Sequence, residues 1–375
     1  MSMRKAEVAI VGGGLIGSSI AYHLAQRGVR PVVVERRTIA AEASGANAGA
    51  LWPQGELSTP GPYLDLALAS FGRFVSLAEE LQDLTGIDIE FQWSGLLDVL
   101  TESRQFVALR AALGWREEMG LSFRLMDREE VRRFESALAS DVAGGLFFPR
   151  EGDVNPMALN CAYAVGAQRL GARFLAGVEV EGIEVNGGRV EGLSTSGGAL
   201  AADVVVNAAG AWSPAIGAMV GLRVPVRPVR GQIMVTEALP PLLSHCLVSG
   251  HCYLVPKPRG NIVIGATQEE VGYQKRMTVD GLAGLAAEAV TMVPALRRVA
   301  MVRSWCGLRP GSADDWPFLG PAQAVGGFLL ATGHFRNGCL LSPITGQLLA
   351  EQIVDGRPSI PLQPFRLERS ARWWM

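Results

Sequence analysis

The sequence predicts an α/β fold with two domains, one discontinuous and built around a parallel sheet, the other mostly antiparallel. Pieces in which strands alternate with helices lie near the start, the middle and the end of the 375-residue chain. Between them, residues 224–271 alternate apolar and polar side chains at period two, which favours an antiparallel sheet. A chain of this length also exceeds one simple core, so two domains are expected.

The first element is a strand that ends in a glycine-rich turn and leads into a helix. Residues 8–11 form an apolar run typical of a buried strand, and residues 18–27 have the apolar spacing of a helix. Between them, Gly12, Gly14 and Gly17 form a G-x-G-x-x-G pattern. The first glycine permits a tight turn, the second admits a pyrophosphate, and the third lets the helix pack closely. The helix N-terminus then offers N–H groups to the phosphates.

A second strand follows and ends in an acidic residue. Residues 31–34 are mostly apolar, and Glu35 comes eighteen residues after Gly17. A carboxylate at this position accepts hydrogen bonds from ribose hydroxyls. The same carboxylate disfavours a 2′-phosphate on the ribose, although Arg36 and Arg37 beside it weaken that argument. Strand, turn, helix and acidic residue together predict that a Rossmann-like domain binds a dinucleotide here.

The remaining elements follow an order that fits the two-domain division. Small residues over 43–51 predict a loop, and an N-capping aspartate with an acidic first turn marks a helix over 127–134. Further helices are predicted over 62–85, 104–119, 156–170, 281–299 and 340–354, and Asn155 with Pro156 can open the third of them. Further strands are predicted over 91–100, 173–180, 182–186, 189–195, 203–207, 232–236, 252–255, 261–267 and 327–331. We assign residues 1–85, 155–222 and 300–375 to the first domain and residues 86–154 and 223–299 to the second, substrate-binding domain.

Composition limits the function classes. The chain is 49% hydrophobic and 19% charged, as in ordinary globular proteins, and its net charge of −2 gives no basic field for nucleic acid. Its five scattered cysteines have no metal-ligand spacing with the four histidines, which predicts reduced thiols in a cytoplasm and no metal site. We expect no signal peptide and no membrane span, since no apolar run approaches ~20 residues. Peripheral association with a membrane is left open.

Two arginines lie beside glycines in otherwise uncharged segments. Arg309 is in the segment 305–310 and Arg336 in the segment 333–338. A guanidinium fork binds a carboxylate bidentately, so the pair predicts a site for an amino or carboxylic acid, with structural salt bridges as the alternative. On a predicted strand, His251 and Tyr253 share a face, and the tyrosine hydroxyl suits a carboxylate in a pocket or an ordinary sheet position.

A strand end over 206–212 carries only small residues before its terminal tryptophan. Such a segment fits a place where the backbone approaches a cofactor, and a tight turn into a helix is the alternative. The chain resembles the glycine oxidase and D-amino acid oxidase family of FAD enzymes nearly end to end. The features that carry this resemblance are this strand end, the glycine turn, the loop over 44–49 and the two arginine segments. Residues 225–272 and the tail also look like the corresponding subunits of hydrogen cyanide synthase and opine oxidase and like D-hydroxyproline dehydrogenase.

The resemblance implies a cofactor site and a substrate site. Arg309 looks like the carboxylate-binding residue, with Arg336 and Tyr253 as second contacts, His251 beside them and Trp52 shaping the pocket. FAD binding without a covalent bond is favoured, and attachment at Cys306 is left open. The residues implied to contact FAD are Gly12, Gly14, Leu15, Ile16, Gly17, Glu35, Arg36, Ser44, Asn47, Ala48, Gly49, Leu51, Val178, Ala209, Gly210, Trp212, Gly307, Arg309, Gly333, Arg336, Asn337, Gly338, Cys339 and Leu340.

The implied activity is oxidation of a small amino acid such as glycine, sarcosine, another N-substituted glycine, D-proline or a hydroxyproline. A hydride would pass from the α-carbon to flavin N5, and water would hydrolyse the resulting imine. One alternative is the flavin subunit of an amino acid or opine dehydrogenase complex that passes electrons to a partner or a quinone. Another is an FAD-dependent tRNA-modifying protein, against which the near-neutral charge counts. The substrate, its stereochemistry, the electron acceptor and the oligomeric state, homo-oligomer included, stay open.

Overall fold

The structure is a computed structural model that describes residues 4–373 and contains two large sheets. The strands in this range are β1 (Arg4–Val11), β2 (Val32–Glu35), β3 (Ala50–Leu51), β4 (Leu96–Leu100), β5 (Arg124–Asp127), β6 (Gly144–Phe148), β7 (Gly152–Asp153), β8 (Arg173–Ala176), β9 (Val180–Asn186), β10 (Arg189–Thr195), β11 (Gly198–Asn207), β12 (Arg227–Thr236), β13 (Cys246–Ser249), β14 (Cys252–Pro256), β15 (Ile262–Gly265), β16 (Met301–Gly311), β17 (Phe318–Pro321) and β18 (Phe328–Thr332). The α-helices in the same range are α1 (Leu15–Gln26), α2 (Pro53–Glu56), α3 (Pro62–Gly72), α4 (Phe74–Thr85), α5 (Ser103–Ala112), α6 (Gly114–Glu118), α7 (Arg128–Phe134), α8 (Pro156–Arg169), α9 (Ser213–Ala218), α10 (Val279–Met292) and α11 (Ser342–Val354).

The first sheet has the parallel core that the sequence predicts. Its main order is β17-β18-β11-β1-β2-β8, and all of these neighbours are parallel except β17 and β18. A hairpin of β9 and β10 extends the sheet antiparallel to β11. Helices α1, α8 and α11 bury apolar side chains against one face. The predicted α/β fold class is therefore confirmed.

The second sheet is mostly antiparallel, as expected from the alternating pattern. Its order is β16-β12-β15-β14-β13-β4-β6-β5, and only the pair β13 and β4 is parallel. Apolar clusters cover both faces, one of them including α10 and the other including Trp52. A small ladder of β3 and β7 lies apart from both large sheets. No helix within residues 4–373 has the length and apolar character needed to cross a bilayer.

Two predicted helices are each divided in two. The helix over 62–85 breaks at Arg73, whose N–H donates to Ser70 O three residues back, while the Ser70 hydroxyl donates to Leu340 O at 2.6 Å. The helix over 104–119 breaks at Leu113, after which the Arg116 side chain turns inward and is buried. Each break lies beside a glycine, Gly72 or Gly114, and near a side chain that hydrogen-bonds a distant segment.

Other boundaries shift for local reasons. The helix over 281–299 ends at Met292 because a proline follows at 294, and residues 294–298 form a 3₁₀ turn. In the segment 91–100, only Leu96–Leu100 is a strand. No separate strand was predicted from the sequence at β5, β6, β7, β13, β16 and β17. The expected N-caps are confirmed, since Glu130 N–H donates to Asp127 Oδ1 at 2.9 Å and Ala158 N–H donates to Asn155 Oδ1 at 3.1 Å.

Strand β16 departs from the expected division of the chain. The sequence assigns residues 300–375 to the first domain, whereas β16 pairs with β12 along most of its length in the second sheet. Its last residues carry Arg309 and reach the edge of the first domain. Strand β16 therefore belongs to the second sheet, while its last residues line a cavity beside the first sheet. A domain boundary at residue 300 does not separate the two sheets.

The glycine turn has the close contacts that its pattern predicts. Gly12 has φ of +111°, and a Cβ there would lie 2.5 Å from Ala208 O. A Cβ on Gly17 would lie 1.9 Å from Gly12 O. The first turn of α1 can therefore rest on the end of β1 only while residue 17 has no side chain.

We expect Gly17→Ala to lower the melting temperature, because the added methyl group must push α1 away from the turn and overpacking costs about 1–3 kcal/mol. Gly284→Ala in α10 is the matched control, since an added methyl group there meets nothing within 4 Å. The control should raise stability by about 0.4–1 kcal/mol through the unfolded state. Thermal unfolding of both variants is the measurement, and equal melting temperatures would contradict the packing argument.

Candidate active site

A long cavity lies at the carboxyl ends of the parallel strands. It measures about 1400 Å³ with its opening to solvent included, and its lining contains Val11, Glu35, Ala208 and Thr332, which end or follow four neighbouring strands. Open α/β sheets bind ligands at this edge. The glycine turn that follows Val11 forms part of the same wall, so the cavity coincides with the predicted dinucleotide site.

The loop after β2 completes the wall around the helix N-terminus. Leu15 N–H at the start of α1 donates to Ser44 Oγ at 2.9 Å, and a Cβ on Gly14 would lie 2.7 Å from that oxygen. Asn47 shapes this loop, because its Nδ2 donates to Ser44 O at 2.7 Å and its Oδ1 accepts from Gly49 N–H at 2.8 Å. The serine, the bare glycine and the positive end of α1 together suit a phosphate.

Glu35 is held in place by two backbone groups. Its Oε2 accepts from Gly13 N–H at 2.9 Å and its Oε1 accepts from Arg37 N–H at 2.8 Å. The guanidinium of Arg36 lies 4.1 Å from the centre of the Trp212 ring, and both side chains line the cavity. The carboxylate is thus preset for ribose hydroxyls, while Arg36 is engaged by an aromatic ring.

Most of the residues expected to contact the cofactor line this long cavity. Ala48 and Gly307 line an adjoining cavity instead. The expected residues that line neither are Gly17, Gly49, Leu51, Gly333, Asn337 and Leu340. One of these six, Asn337, is buried and donates from Nδ2 to Tyr63 Oη at 3.0 Å. Direct contact of the six residues with FAD stays a prediction.

The adjoining cavity is smaller, about 580 Å³ with its opening to solvent included, and lies beside the first. Arg309, Arg336 and Cys339 line both cavities. Trp52 and Tyr253 line the smaller one, with ring centres 5.9 Å apart and planes at 82°. This cavity therefore brings together four of the five residues expected to bind substrate. Its position suits a substrate pocket next to a cofactor.

His251 is the exception among the expected substrate contacts. It lies in the hairpin turn between β13 and β14, is exposed to solvent, and lines neither cavity. Strand alternation placed it beside Tyr253, but β14 begins only at Cys252. The expectation that His251 shares the pocket with Tyr253 was wrong, because the turn comes one residue later than the pattern indicated.

Arg309 reaches the pocket from β16 across a glycine. Its Nη1 donates to Thr267 O at 3.0 Å, and a Cβ on Gly231 of the paired strand β12 would lie 2.4 Å from its guanidinium nitrogens. Burial lowers the pKa of Arg309, and the neighbouring Tyr253 opposes this shift. Among residues 4–373, no carboxylate forms an ion pair with Arg309. The guanidinium is therefore available to a substrate carboxylate.

Arg336 is already paired. Its Nη2 lies 2.8 Å from Oε1 of Glu56, a pocket residue at the end of α2. The Glu56 carboxylate raises the pKa of Arg336. Glu56 was not among the residues expected from the sequence, because its four-residue helix has no motif of its own. The structural salt bridge that the sequence left open as an alternative for each arginine is present at Arg336.

His334 also lines the long cavity and was not identified from the sequence. Its Nε2 lies 3.1 Å from Thr345 Oγ1, and burial lowers its pKa to about 3. The imidazole is therefore neutral at ordinary pH. It orients the turn before α11 and does not supply a cationic charge.

The chain shares its length and fold with known flavoenzymes. The family model described as FAD dependent oxidoreductase matches residues 7–352. Hydrogen cyanide synthase subunit HcnC of Pseudomonas aeruginosa is 36% identical over 402 residues, covering 98% of this chain and 96% of that protein. Glycine oxidase of Geobacillus kaustophilus is 37% identical over 365 residues, covering 97% of each chain. The crystal structure of glycine oxidase from that species matches with a TM-score of 0.94 at 36% identity, covering 97% of this chain and 99% of that one.

Acid precipitation of the purified protein should release its flavin into the supernatant. Cys306, the expected candidate for a covalent link, lines neither cavity, because alternation along β16 turns it away from Gly307 and Arg309. Burial raises the pKa of its thiol, which disfavours the reactive thiolate. Cys306→Ser should keep the same flavin content. A yellow pellet from the parent protein that turns colourless in Cys306→Ser would contradict this geometry.

Proposed function

The chain belongs to the family of FAD-dependent oxidoreductases, and on that premise we propose that it oxidises a small amino acid at its Cα–N bond. The substrates we propose are glycine, sarcosine or another N-substituted glycine, D-proline or a hydroxyproline. The observation that supports this best is the guanidinium of Arg309, which forms no ion pair with a carboxylate among residues 4–373 and lies in a small pocket beside the cofactor cavity. The similarity to glycine oxidase supports the same substrate class.

The long cavity fits FAD by its own chemistry. The N-terminus of α1, the bare Gly14 and the Ser44 hydroxyl would hold the pyrophosphate, and Glu35 would hold the ribose. When bound, FAD supplies the redox chemistry by accepting a hydride from the substrate carbon. We propose that it binds without a covalent link.

The pocket residues would position and enclose the substrate. Arg309 would bind the carboxylate through its fork, and Tyr253, close to it, would add a hydroxyl hydrogen bond. Trp52, which is 2% exposed, closes the pocket against water and large side chains.

No general base is needed in this scheme. The ionisable groups that line the small cavity are Glu56, Tyr253, Arg309, Arg336 and Cys339. Glu56 is engaged by Arg336, and burial raises the pKa of Tyr253 and brings that of Cys339 to about 12. We therefore propose that the amine enters unprotonated and that the pocket acts by orientation.

A second candidate function is the flavin subunit of a larger dehydrogenase. The 36% identity with a protein named as a subunit of hydrogen cyanide synthase supports it. The two candidates share the substrate pocket and differ in where the electrons go. They predict different behaviour in air.

Arg309→Ala and Arg309→Lys should retain FAD and lose most of kcat/KM on an amino acid. Removing one member of a buried charge pair costs about 2–5 kcal/mol, a loss of roughly 30- to 4000-fold. Arg303→Ala is the control, because Arg303 lies on the same strand but is exposed. Near-parental kcat/KM in Arg309→Ala would show that another group binds the carboxylate.

An anaerobic panel of amines tests the substrate class. Glycine, sarcosine or D-proline should bleach the flavin absorption, and D-tryptophan should fail because Trp52 and Tyr253 restrict the pocket. Admitting air should then give hydrogen peroxide if the chain is an oxidase. Reoxidation by a quinone but not by oxygen would favour the subunit role. Bleaching by NADPH or by bulky amines alone would overturn the proposed function.

A further inference from the structure

We propose that Glu56 is a specificity-determining residue that restricts the pocket to substrates with a single carboxylate, because it occupies Arg336. This inference rests on the proposed function and narrows its substrate class. Without Glu56, the pocket would present two guanidinium groups to a ligand. When Glu56 is present, its carboxylate occupies the Arg336 guanidinium, so a ligand carboxylate cannot bind there.

The charges in the pocket support this reading. Its lining contains two guanidinium groups and one carboxylate, which leaves one positive charge for the substrate. The pair is largely shielded, with side-chain exposures of 28% for Arg336 and 16% for Glu56, so solvent screens it weakly. A substrate with one carboxylate and an uncharged amine matches the remaining charge. One with two carboxylates must displace Glu56 and leave its charge unpaired in a confined space.

The backbone that carries Glu56 is held by hydrogen bonds to neighbouring segments, which limits its movement away from the pocket. Gln54 N–H at the start of α2 donates to Oε1 of the buried Glu151 at 2.9 Å. The buried Arg116 donates from Nη2 to Gln54 O at 3.1 Å. Glu56 N–H closes the helix turn by donating to Trp52 O at 2.9 Å. These bonds hold the short helix, and with it the carboxylate, against the pocket.

Arg336 is equally constrained on its own side. Its neighbour Asn337 is tied to Tyr63, and Phe335 has a positive φ of 46° in the same 3₁₀ turn. Both partners of the pair thus come from rigid backbone. Selectivity of this kind works by building a repulsive group against the wrong ligand.

The test compares ligands that differ only in a distal methyl group or carboxylate. Propionate and malonate, which cannot be oxidised, are titrated into the flavin-loaded protein, and their Kd values are read from the shift of the flavin spectrum. The parent protein should bind propionate at least tenfold more tightly than malonate. Glu56→Gln should improve malonate binding at least tenfold more than it improves propionate binding, so the ratio of the two Kd values is the readout. Glu79→Gln on the exposed face of α4 is the control and should change neither.

Two further variants separate the proposed role from a folding defect. The double variant Glu56→Gln/Arg336→Met should lose the gain for malonate, because the freed guanidinium is gone. Arg336→Gln alone leaves Glu56 unpaired and should weaken malonate relative to propionate at least threefold. Melting temperature and flavin content are measured for each. A malonate-to-propionate ratio that stays constant in well-folded Glu56→Gln, or in Arg336→Gln, would overturn the proposal.

Turnover gives the second readout and keeps the two hypotheses distinct. N-ethylglycine and iminodiacetate differ by the same exchange of methyl for carboxylate. Glu56→Gln should shift their kcat/KM ratio at least tenfold towards iminodiacetate. If no amino acid reduces the flavin, the proposed function fails while the carboxylate titrations still report on Glu56. If amino acids reduce it but neither ratio moves, the inference about Glu56 fails alone.

Discussion

The contact between Gly17 and the carbonyl oxygen of Gly12 is the constraint on which the rest of the site depends. A side-chain carbon at residue 17 would lie 1.9 Å from that oxygen, so only glycine lets α1 begin directly over the end of β1. This places the positive end of the helix at the carboxyl edge of the parallel sheet. It also brings Leu15 N–H within reach of Ser44, so the position of the following loop depends on the same contact.

Close backbone contacts continue from that loop to the smaller cavity. A Cβ on Gly307 would lie 2.7 Å from the Ala46 side chain, and Trp305 Nε1 donates to Ala46 O at 3.2 Å. Strand β16 therefore lies directly against the loop that borders the cofactor cavity. Two residues further along, Arg309 crosses over Gly231 into the pocket. Small residues on three separate segments allow one arginine to reach the junction of the two cavities.

The segment after β15 joins the two domains around this junction. Thr267 O accepts a hydrogen bond from Arg309, and Glu269 pairs with the buried Arg230. Further along, Lys275 Nζ donates to Ala41 O and lies 2.7 Å from Glu42 Oε2, at the rim of the long cavity. Tyr273 Oη donates to Ala211 O at 2.9 Å on the same rim. One stretch of chain thus contacts both Arg309 and the rim of the long cavity.

The sequence by itself determined the features that arise from neighbouring residues. The glycine turn, Glu35 at the end of the second strand, and the caps at Asp127 and Asn155 depend on contacts within a few residues or on a motif of fixed spacing, so their patterns are visible in the chain. Tertiary structure alone decided the rest. The pairing of Glu56 with Arg336 joins residues 280 positions apart, β16 is drawn into the second sheet by β12, and His251 is left in a turn by the register of β14. Such contacts depend on how distant segments pack, and local periodicity carries no information about them.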